Sequence, residues 1–371
     1  MTTKEKYAYI LKMSTLDHQK ILVILGPTSS GKSALAVDVA RKWNGEIISA
    51  DSRQVYRGMD IGSGKVPRDN VQRGTRYDVR SAGEQYRSPT VIRDSKFVTR
   101  EPYLSEGIPH HLLDVADPND DYNISHFLRD ARTALGDIAS RGKLPIVCGG
   151  TGFWIQALIE HQNIPDIPPN PALRAELSEK TPEELFERLQ LLDPARAETI
   201  DQKNPRRLIR AIEIAENGNQ ESGIKNQARN QEEKNLNPKS EQPFDRKTIQ
   251  PYILALCPPK DILDARIRAR LDARFDQGMI AEVEHLHKSG VSWERLDAFG
   301  LEYRWISRFL RGMVNEQDMK ERLFFDSIHY AKRQMTWIRR WQKLGAPLTV
   351  VETKEEAFQK ISTHMKEKCA V

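Results

Sequence analysis

The apolar run Ile21-Leu22-Val23-Ile24-Leu25 leads directly into Gly26-Pro27-Thr28-Ser29-Ser30-Gly31-Lys32-Ser33, and Ala34-Leu35-Ala36-Val37-Asp38-Val39-Ala40-Arg41 follows. The middle stretch fits G-x-x-x-x-G-K-[ST] at every fixed position. The run before it reads as a buried strand and the one after it as a helix. A strand, a glycine loop and a helix in that order constrain the chain strongly. The loop's backbone N–H groups and the first helical turn point at an anion. Lys32 adds a mobile positive charge, and the Ser33 hydroxyl can hold Mg2+. The competing reading is a glycine turn that happens to precede a helix. The pattern does not say which phosphate ester binds.

The strand–helix alternation continues. Glu46-Ile47-Ile48-Ser49-Ala50 reads as a strand that ends in Asp51-Ser52-Arg53-Gln54. Residues 124–140 read as a helix, with Phe127, Leu128, Ala131, Leu135 and Ile138 on one side and Gly142 as its stop. Leu144-Pro145-Ile146-Val147-Cys148 is a third strand, and Gly149-Gly150-Thr151-Gly152 turns into a helix over 153–160. The expected fold is α/β: a P-loop NTPase-like parallel sheet covered by helices on both faces, with a small all-helical insertion domain. Ligands of such sheets sit at the carboxyl ends of the strands. The phosphate loop, Asp51 and Thr151 should therefore meet in one crevice.

The expected organisation has six parts. Residues 1–20 form a flexible tail that lacks the apolar centre of a secretory signal. Residues 21–160 are the first part of the core, with an extended surface insertion or hairpin at 66–106. Residues 161–216 form the helical insertion, in which Asn170-Pro171, Thr181-Pro182 and Asn204-Pro205 each open a helix. Residues 217–250, where 11 of 34 positions are Asn or Gln, read as a disordered polar linker. Residues 251–345 resume the core and add basic helices, and 346–371 is a C-terminal tail.

No run approaches the length of a membrane span. Cys148, Cys257 and Cys369 are few and far apart, with no C-x-x-C pair. Neither a disulfide framework nor a zinc site is indicated, which fits a reducing cytosol. The net charge of +5 is too modest to imply nucleic acid by itself; local clusters must decide.

Three groups of residues bear on chemistry. Asp51, just past a strand end, could ligate a metal, cap a helix or act as a base. On the helix from Asp261 to Gln277, Leu263, Ile267, Leu271 and Phe275 should face the core. Arg266, Arg270 and Arg274 form the adjacent row, which is either a solvated flank or a clamp for pyrophosphate. Residues 328–343 hold five Lys or Arg and no acid, with Tyr330, Trp337 and Trp341 interleaved. The aromatics should pack while the cations face RNA. Asn204-Pro205-Arg206-Arg207-Leu208-Ile209-Arg210 is a second basic cluster, at a helix start.

Together these stretches resemble the tRNA dimethylallyltransferase (tRNA isopentenyltransferase) family, bacterial type, without the C-terminal zinc module of some eukaryotic members. The resemblance rests on Gly26 to Ser33 and on the block Ile48-Ser49-Ala50-Asp51-Ser52-Arg53-Gln54-Val55-Tyr56-Arg57-Gly58-Met59-Asp60-Ile61-Gly62. It continues through Pro109-His110-His111-Leu112-Leu113-Asp114, Gly149-Gly150-Thr151-Gly152, Asn204 to Ala211, and Ala331-Lys332-Arg333-Gln334-Met335-Thr336-Trp337, all in family order. The insertion at 66–106, the linker and Gly300-Leu301-Glu302-Tyr303 depart from the family pattern.

The resemblance implies transfer of a dimethylallyl group from dimethylallyl diphosphate to N6 of adenosine 37, beside the tRNA anticodon. It implies Asp51 as base and Thr151 as its catalytic companion. Gly26, Pro27, Thr28, Ser29, Ser30, Gly31, Lys32, Ser33 and Arg270 would hold the diphosphate, with Mg2+ on Ser33. Asp51, Ser52, Arg53, Gln54, Thr151, Arg174, Arg206, Arg207, Leu208, Ile209 and Arg210 would contact tRNA. A monomeric cytoplasmic enzyme is expected. The alternatives are an isopentenyltransferase acting on free AMP or ADP, a P-loop small-molecule kinase and an RNA-binding NTPase switch. The kinase would need neither basic cluster. The switch would want a strand ending in a carboxylate where Ile146-Val147-Cys148 ends in glycines.

Overall fold

The computed structural model describes residues 21–69, 103–160, 164, 167, 169–228 and 251–367. The chain divides into two compact units, Asn163–Pro243 and the remainder on either side of it.

The larger unit opens with β1 (Leu22–Leu25), α1 (Lys32–Lys42) and β2 (Gly45–Ser49). A short hairpin follows, β3 (Tyr103–Ser105) and β4 (Ile108–His111). Next come α2 (Ile124–Ser140), β5 (Leu144–Gly149) and α3 (Gly152–Ile159). The smaller unit contributes α4 (Pro171–Ser178), α5 (Pro182–Leu192), α6 (Pro194–Ala197) and α7 (Pro205–Ala228). The larger unit resumes with β6 (Tyr252–Leu256), α8 (Lys260–Asp276), α9 (Met279–Lys288), α10 (Trp293–Phe299) and α11 (Leu301–Leu310). It closes with the long α12 (Glu316–Lys343), β7 (Leu348–Val351) and α13 (Lys354–Glu367).

Seven strands form one sheet in the order β3-β4-β2-β5-β1-β6-β7. Every pairing is parallel except the β3–β4 hairpin at one edge. Strands buried on both faces read as continuous apolar runs, as β1 and β5 do. Leu22 and Ile24 pack with Leu35, Val39, Ile146 and Leu254 in one core cluster. The order matters for function: β2, β5 and β1 are neighbours, so their carboxyl ends present Asp51, Thr151 and the phosphate loop side by side.

The helices of the smaller unit start at chemically defined caps. The Asn170 side chain accepts from the Leu173 amide at 3.1 Å. Thr181 and Glu184 cap reciprocally, each side chain accepting the other's backbone N–H. Leu173, Leu177, Leu185, Leu189, Leu208 and Ile212 form this unit's own core.

Two sequence expectations need correction. The segment 346–371 is not a tail over its described part: β7 pairs with β6, and Ala357, Ile361 and Met365 of α13 join the main core. These three apolar positions recur every four residues, a helical stripe hidden among many charges. The linker reading of 217–250 fails over 217–228, where α7 continues to Ala228. Once a helix is nucleated, each further residue adds one hydrogen bond, so poor helix formers can be carried along. Residues 1–20, 70–102 and 229–250, which hold the expected tail, most of the insertion and the rest of the linker, lie outside the described residues.

Candidate active site

The phosphate loop begins where β1 ends. Gly31 closes it at φ 94°, a left-handed conformation that glycine adopts without strain, and α1 starts at Lys32. Thr28, Ser29, Gly31, Lys32 and Ser33 line a cavity of about 790 Å³ together with Asp51, Ser52, Arg53, Gln54, Arg266, Arg270 and Arg274. Pro27 and Ser30 do not line it. The Pro27 carbonyl accepts from Lys32 Nζ at 3.1 Å, and the buried Ser30 Oγ has no partner. Gly26 borders a second, smaller cavity.

Asp51 sits in a tight turn after β2. Its Oδ1 accepts the amides of Arg53 at 2.9 Å and Gln54 at 3.4 Å. The Ser52 amide donates to Thr151 Oγ1 at 3.2 Å, joining the β2 and β5 ends. Gln54 turns inward, donating to the carbonyls of Ser63 and Gly64.

All three arginines of the α8 row border the cavity; Arg270 and Arg274 are turned into it, whereas Arg266 is also exposed to solvent. Arg270 donates to Thr28 Oγ1 at 3.0 Å, and Arg266 to the Ser30 carbonyl at 3.3 Å. Arg274 is buried, paired with Glu302 at 2.9 Å and donating to the Gly62 carbonyl. Arg270 and Arg274 press against Gly64, where a Cβ would fall 1.9 and 1.6 Å from their nitrogens. Leu263, Ile267 and Leu271 are buried as expected. Phe275 is only half-buried, with the Lys320 ammonium 5.1 Å from its ring centre.

Electrostatics single out this cavity. Burial, followed by repulsion from Arg274, lowers Arg270 to about 10. Burial also lowers Lys32 and Arg53 from their ordinary values. Three cations weakened by desolvation in one crevice are stabilised by any anion that enters it. Burial pushes the neighbouring Cys148 thiol up to about 11, so it stays neutral.

On α12 the cations and the aromatics separate only in part. Lys332, Arg333, Arg339, Arg340 and Lys343 are exposed, while Trp341 is buried and donates to Glu160 at 3.1 Å. Tyr330 and Trp337 are half-buried and line the smaller cavity.

The smaller unit sorts the remaining residues expected to contact tRNA. Arg206 and Arg207 are exposed. Leu208 is fully buried in the helical core, which corrects its assignment to RNA contact; Ile209 packs beside it. Arg174 and Arg210 both bind the buried Glu213, Arg174 at 2.7 and 2.8 Å and Arg210 at 3.2 Å. Their charge is largely engaged within this unit.

Sequence reasoning missed two residues. Glu282 accepts three consecutive amides, Asp60, Ile61 and Gly62, at 2.6–3.0 Å, and also the Tyr303 hydroxyl. It thereby fixes the loop against which the arginines rest. Gln334 bonds the Thr28 amide and the Gly150 carbonyl. Only the position of Gln334 inside a recognisable motif could have flagged it.

With a phosphate loop at the carboxyl edge of a parallel sheet, the molecule falls in the P-loop α/β class. Residues 19–82 match the isopentenyl transferase family model, and 93–341 the IPP transferase model. The tRNA dimethylallyltransferase 1 of Geotalea uraniireducens is 37% identical over 90% of this chain and 92% of its own length. The tRNA dimethylallyltransferase 2 of Trichlorobacter lovleyi is 39% identical over 88% of this chain and 90% of its own. The crystal structure of the full-length tRNA isopentenylpyrophosphate transferase of Bacillus halodurans superimposes with a TM-score of 0.59 at 28% identity, covering 94% of this chain and 96% of that one. The chain belongs to the tRNA dimethylallyltransferase family and is an enzyme.

Proposed function

We propose that this enzyme transfers the dimethylallyl group of dimethylallyl diphosphate to N6 of adenosine 37 in tRNA and releases diphosphate. The observation that carries the reading is the convergence on one cavity of the phosphate loop, Arg270 and Asp51, with Thr151 adjoining through Ser52. Lys32, the loop amides and Arg270 would hold the diphosphate and stabilise the charge it gains as its bond to the allylic carbon breaks. The adenine amine is a weak nucleophile because its lone pair is delocalised into the ring. As the N6–carbon bond forms, Asp51 would take the N6 proton, an assistance worth about 10²–10⁴ in rate. Thr151 would orient the amine.

Among the described residues, no three His, Cys, Asp or Glu side chains gather as a metal cage. The oxygen donors on this cavity include the Ser33 hydroxyl and the carboxylates of Asp51, Glu302 and Asp326, the last two already bonded to Arg274 and Trp305. Mg2+ keeps several waters and takes ligands from phosphates, so a hydroxyl at the start of α1 beside a bound diphosphate suits it. Ser33 and the diphosphate oxygens would hold Mg2+, whose charge adds to leaving-group stabilisation.

The adenosine must leave its stack to reach the crevice. The exposed cations of α12 suit tRNA phosphates, and so, within the smaller unit, do Arg206 and Arg207. Among the described residues no helix is long and apolar enough to cross a membrane, and we place the enzyme in the cytosol with its tRNA substrate.

The test is incubation with labelled dimethylallyl diphosphate and either tRNA, AMP or ADP. Label should enter tRNA alone. Label in free nucleotide instead would assign the acceptor to the nucleotide branch, and phosphoryl transfer from ATP with no prenyl transfer would return the kinase reading.

A further inference from the structure

Gln334 takes no part in the chemistry proposed above, yet it touches both halves of the site. Its Oε1 accepts the Thr28 amide N–H at 2.8 Å, and its Nε2 donates to the Gly150 carbonyl at 2.9 Å. Thr28 belongs to the phosphate loop and is held from its other side by Arg270. Gly150 opens the turn to Thr151, whose hydroxyl meets the Ser52 amide next to Asp51. A Cβ at Gly150 would lie 2.4 Å from Gln334 Nε2, so only glycine lets the amide reach that carbonyl. Gln334 also lines both the 790 Å³ cavity and a neighbouring one of about 230 Å³ that Thr151 and Trp337 border. Lys332 and Arg333, both exposed, precede it on α12.

We propose that Gln334 is a positioning residue: its side-chain amide clasps the donor-holding loop to the acceptor-holding turn and ties both to the helix offered to RNA. The proposal rests on the function argued above. The clasp needs one acceptor and one donor at fixed separation on an uncharged side chain. Glutamate retains the acceptor but sets a carboxylate against the Gly150 carbonyl. Methionine matches the shape and has no amide. Asparagine has both groups and falls one methylene short. Transfer requires the allylic carbon and N6 in near-contact and aligned, and a displacement of about 1 Å can cost about a hundredfold in rate. A clasp between the two binding elements is therefore expected to act on kcat.

The experiment measures kcat, both KM values, tRNA affinity and melting temperature for wild type, Gln334→Met, Gln334→Glu and Gln334→Asn. Met and Glu variants should lose about tenfold to a hundredfold in kcat, with tRNA affinity within about twofold of wild type. Asn should fall between. An unchanged kcat in Gln334→Met overturns the proposal. So does a loss confined to the KM for tRNA, or one that disappears when the assay is cooled well below the variant's melting point. If Gln334→Met does not fold, Gln334→Glu decides the question alone by the same criteria. Wild type in the same assay separates the two ideas. Its failure to prenylate tRNA defeats the proposed function, whereas normal transfer by the variants defeats only the clasp.

Discussion

Arg270 and Thr28, 242 positions apart, meet at 3.0 Å, guanidinium to hydroxyl. The bond fixes an arginine of α8 over the phosphate loop and turns one row of a basic helix into the wall of a cavity. Arg270 remains protonated at neutral pH even though burial lowers it to about 10. A charge held there at such cost suits a diphosphate.

Arg270→Ala should lower kcat/KM for dimethylallyl diphosphate by about tenfold to a hundredfold, the value of one charge-assisted hydrogen bond pair. tRNA affinity should stay within twofold. Steady-state kinetics with each substrate varied in turn would check this, and unchanged donor kinetics would return the arginines to the solvated-flank reading.

Asp51 has two jobs that a pair of substitutions can separate. Its Oδ1 shapes the turn through the Arg53 and Gln54 amides. Asn keeps an acceptor oxygen there and cannot take the N6 proton. Asp51→Asn should therefore lose about 10²–10⁴ in kcat with donor affinity and melting temperature near wild type, while Asp51→Ala should also loosen the turn. Near-normal turnover by the Asn variant would remove Asp51 as the base.

The arginines of the smaller unit should divide into two classes. Arg206→Ala with Arg207→Ala should flatten the log–log salt dependence of tRNA binding by about 0.7 to 0.9 per lost phosphate contact. Arg174→Ala should act on stability, because it strips two hydrogen bonds from the buried Glu213 carboxylate. We expect about 1–3 kcal/mol, read by thermal or denaturant unfolding. Equal salt slopes for wild type and the Arg206/Arg207 double variant would count against the RNA grip.

Acid should weaken the sheet through Glu46. Burial pushes this carboxyl up, but hydrogen bonds from Arg141, His111 and Lys143 outweigh it and hold the group well below its ordinary 4.5. The unfolded chain then binds the proton more readily than the folded one. The contribution is fully present above about pH 4.5 and is lost as pH falls toward the folded value. Glu46→Gln should cost about 1–3 kcal/mol at pH 7, since it removes the buried charged acceptor shared by the half-buried Arg141, Lys143 and His111. The gap from wild type should narrow below pH 4.5 in denaturant titrations; a constant gap down to pH 3 would rule out the linkage.

Much of this protein was written locally. The β1–loop–α1 transition, the carboxylate after β2 and the capped helices at Asn170 and Thr181 follow from apolar runs, glycine and cap chemistry within a few residues. Strand neighbours are not local. The parallel-sheet rule implied that Asp51, Thr151 and the loop share one edge, but that β5 lies between β2 and β1, and so sets Thr151 between the other two, only the tertiary structure shows. The tertiary structure alone decided which charges work and which are already engaged. Arg270 faces the phosphate loop, while Arg274, one turn on, is buried against Glu302, and Arg174 and Arg210 are drawn to Glu213. Sequence spacing sets a side chain's direction on its helix. Its partner is set by whatever the fold brings opposite, 28, 39 and 242 positions away for Arg274, Arg174 and Arg270, although Arg210 meets Glu213 on its own helix. The same reason hid Gln334 and Glu282, whose roles lie in long-range bonds, most of them to other segments' backbones.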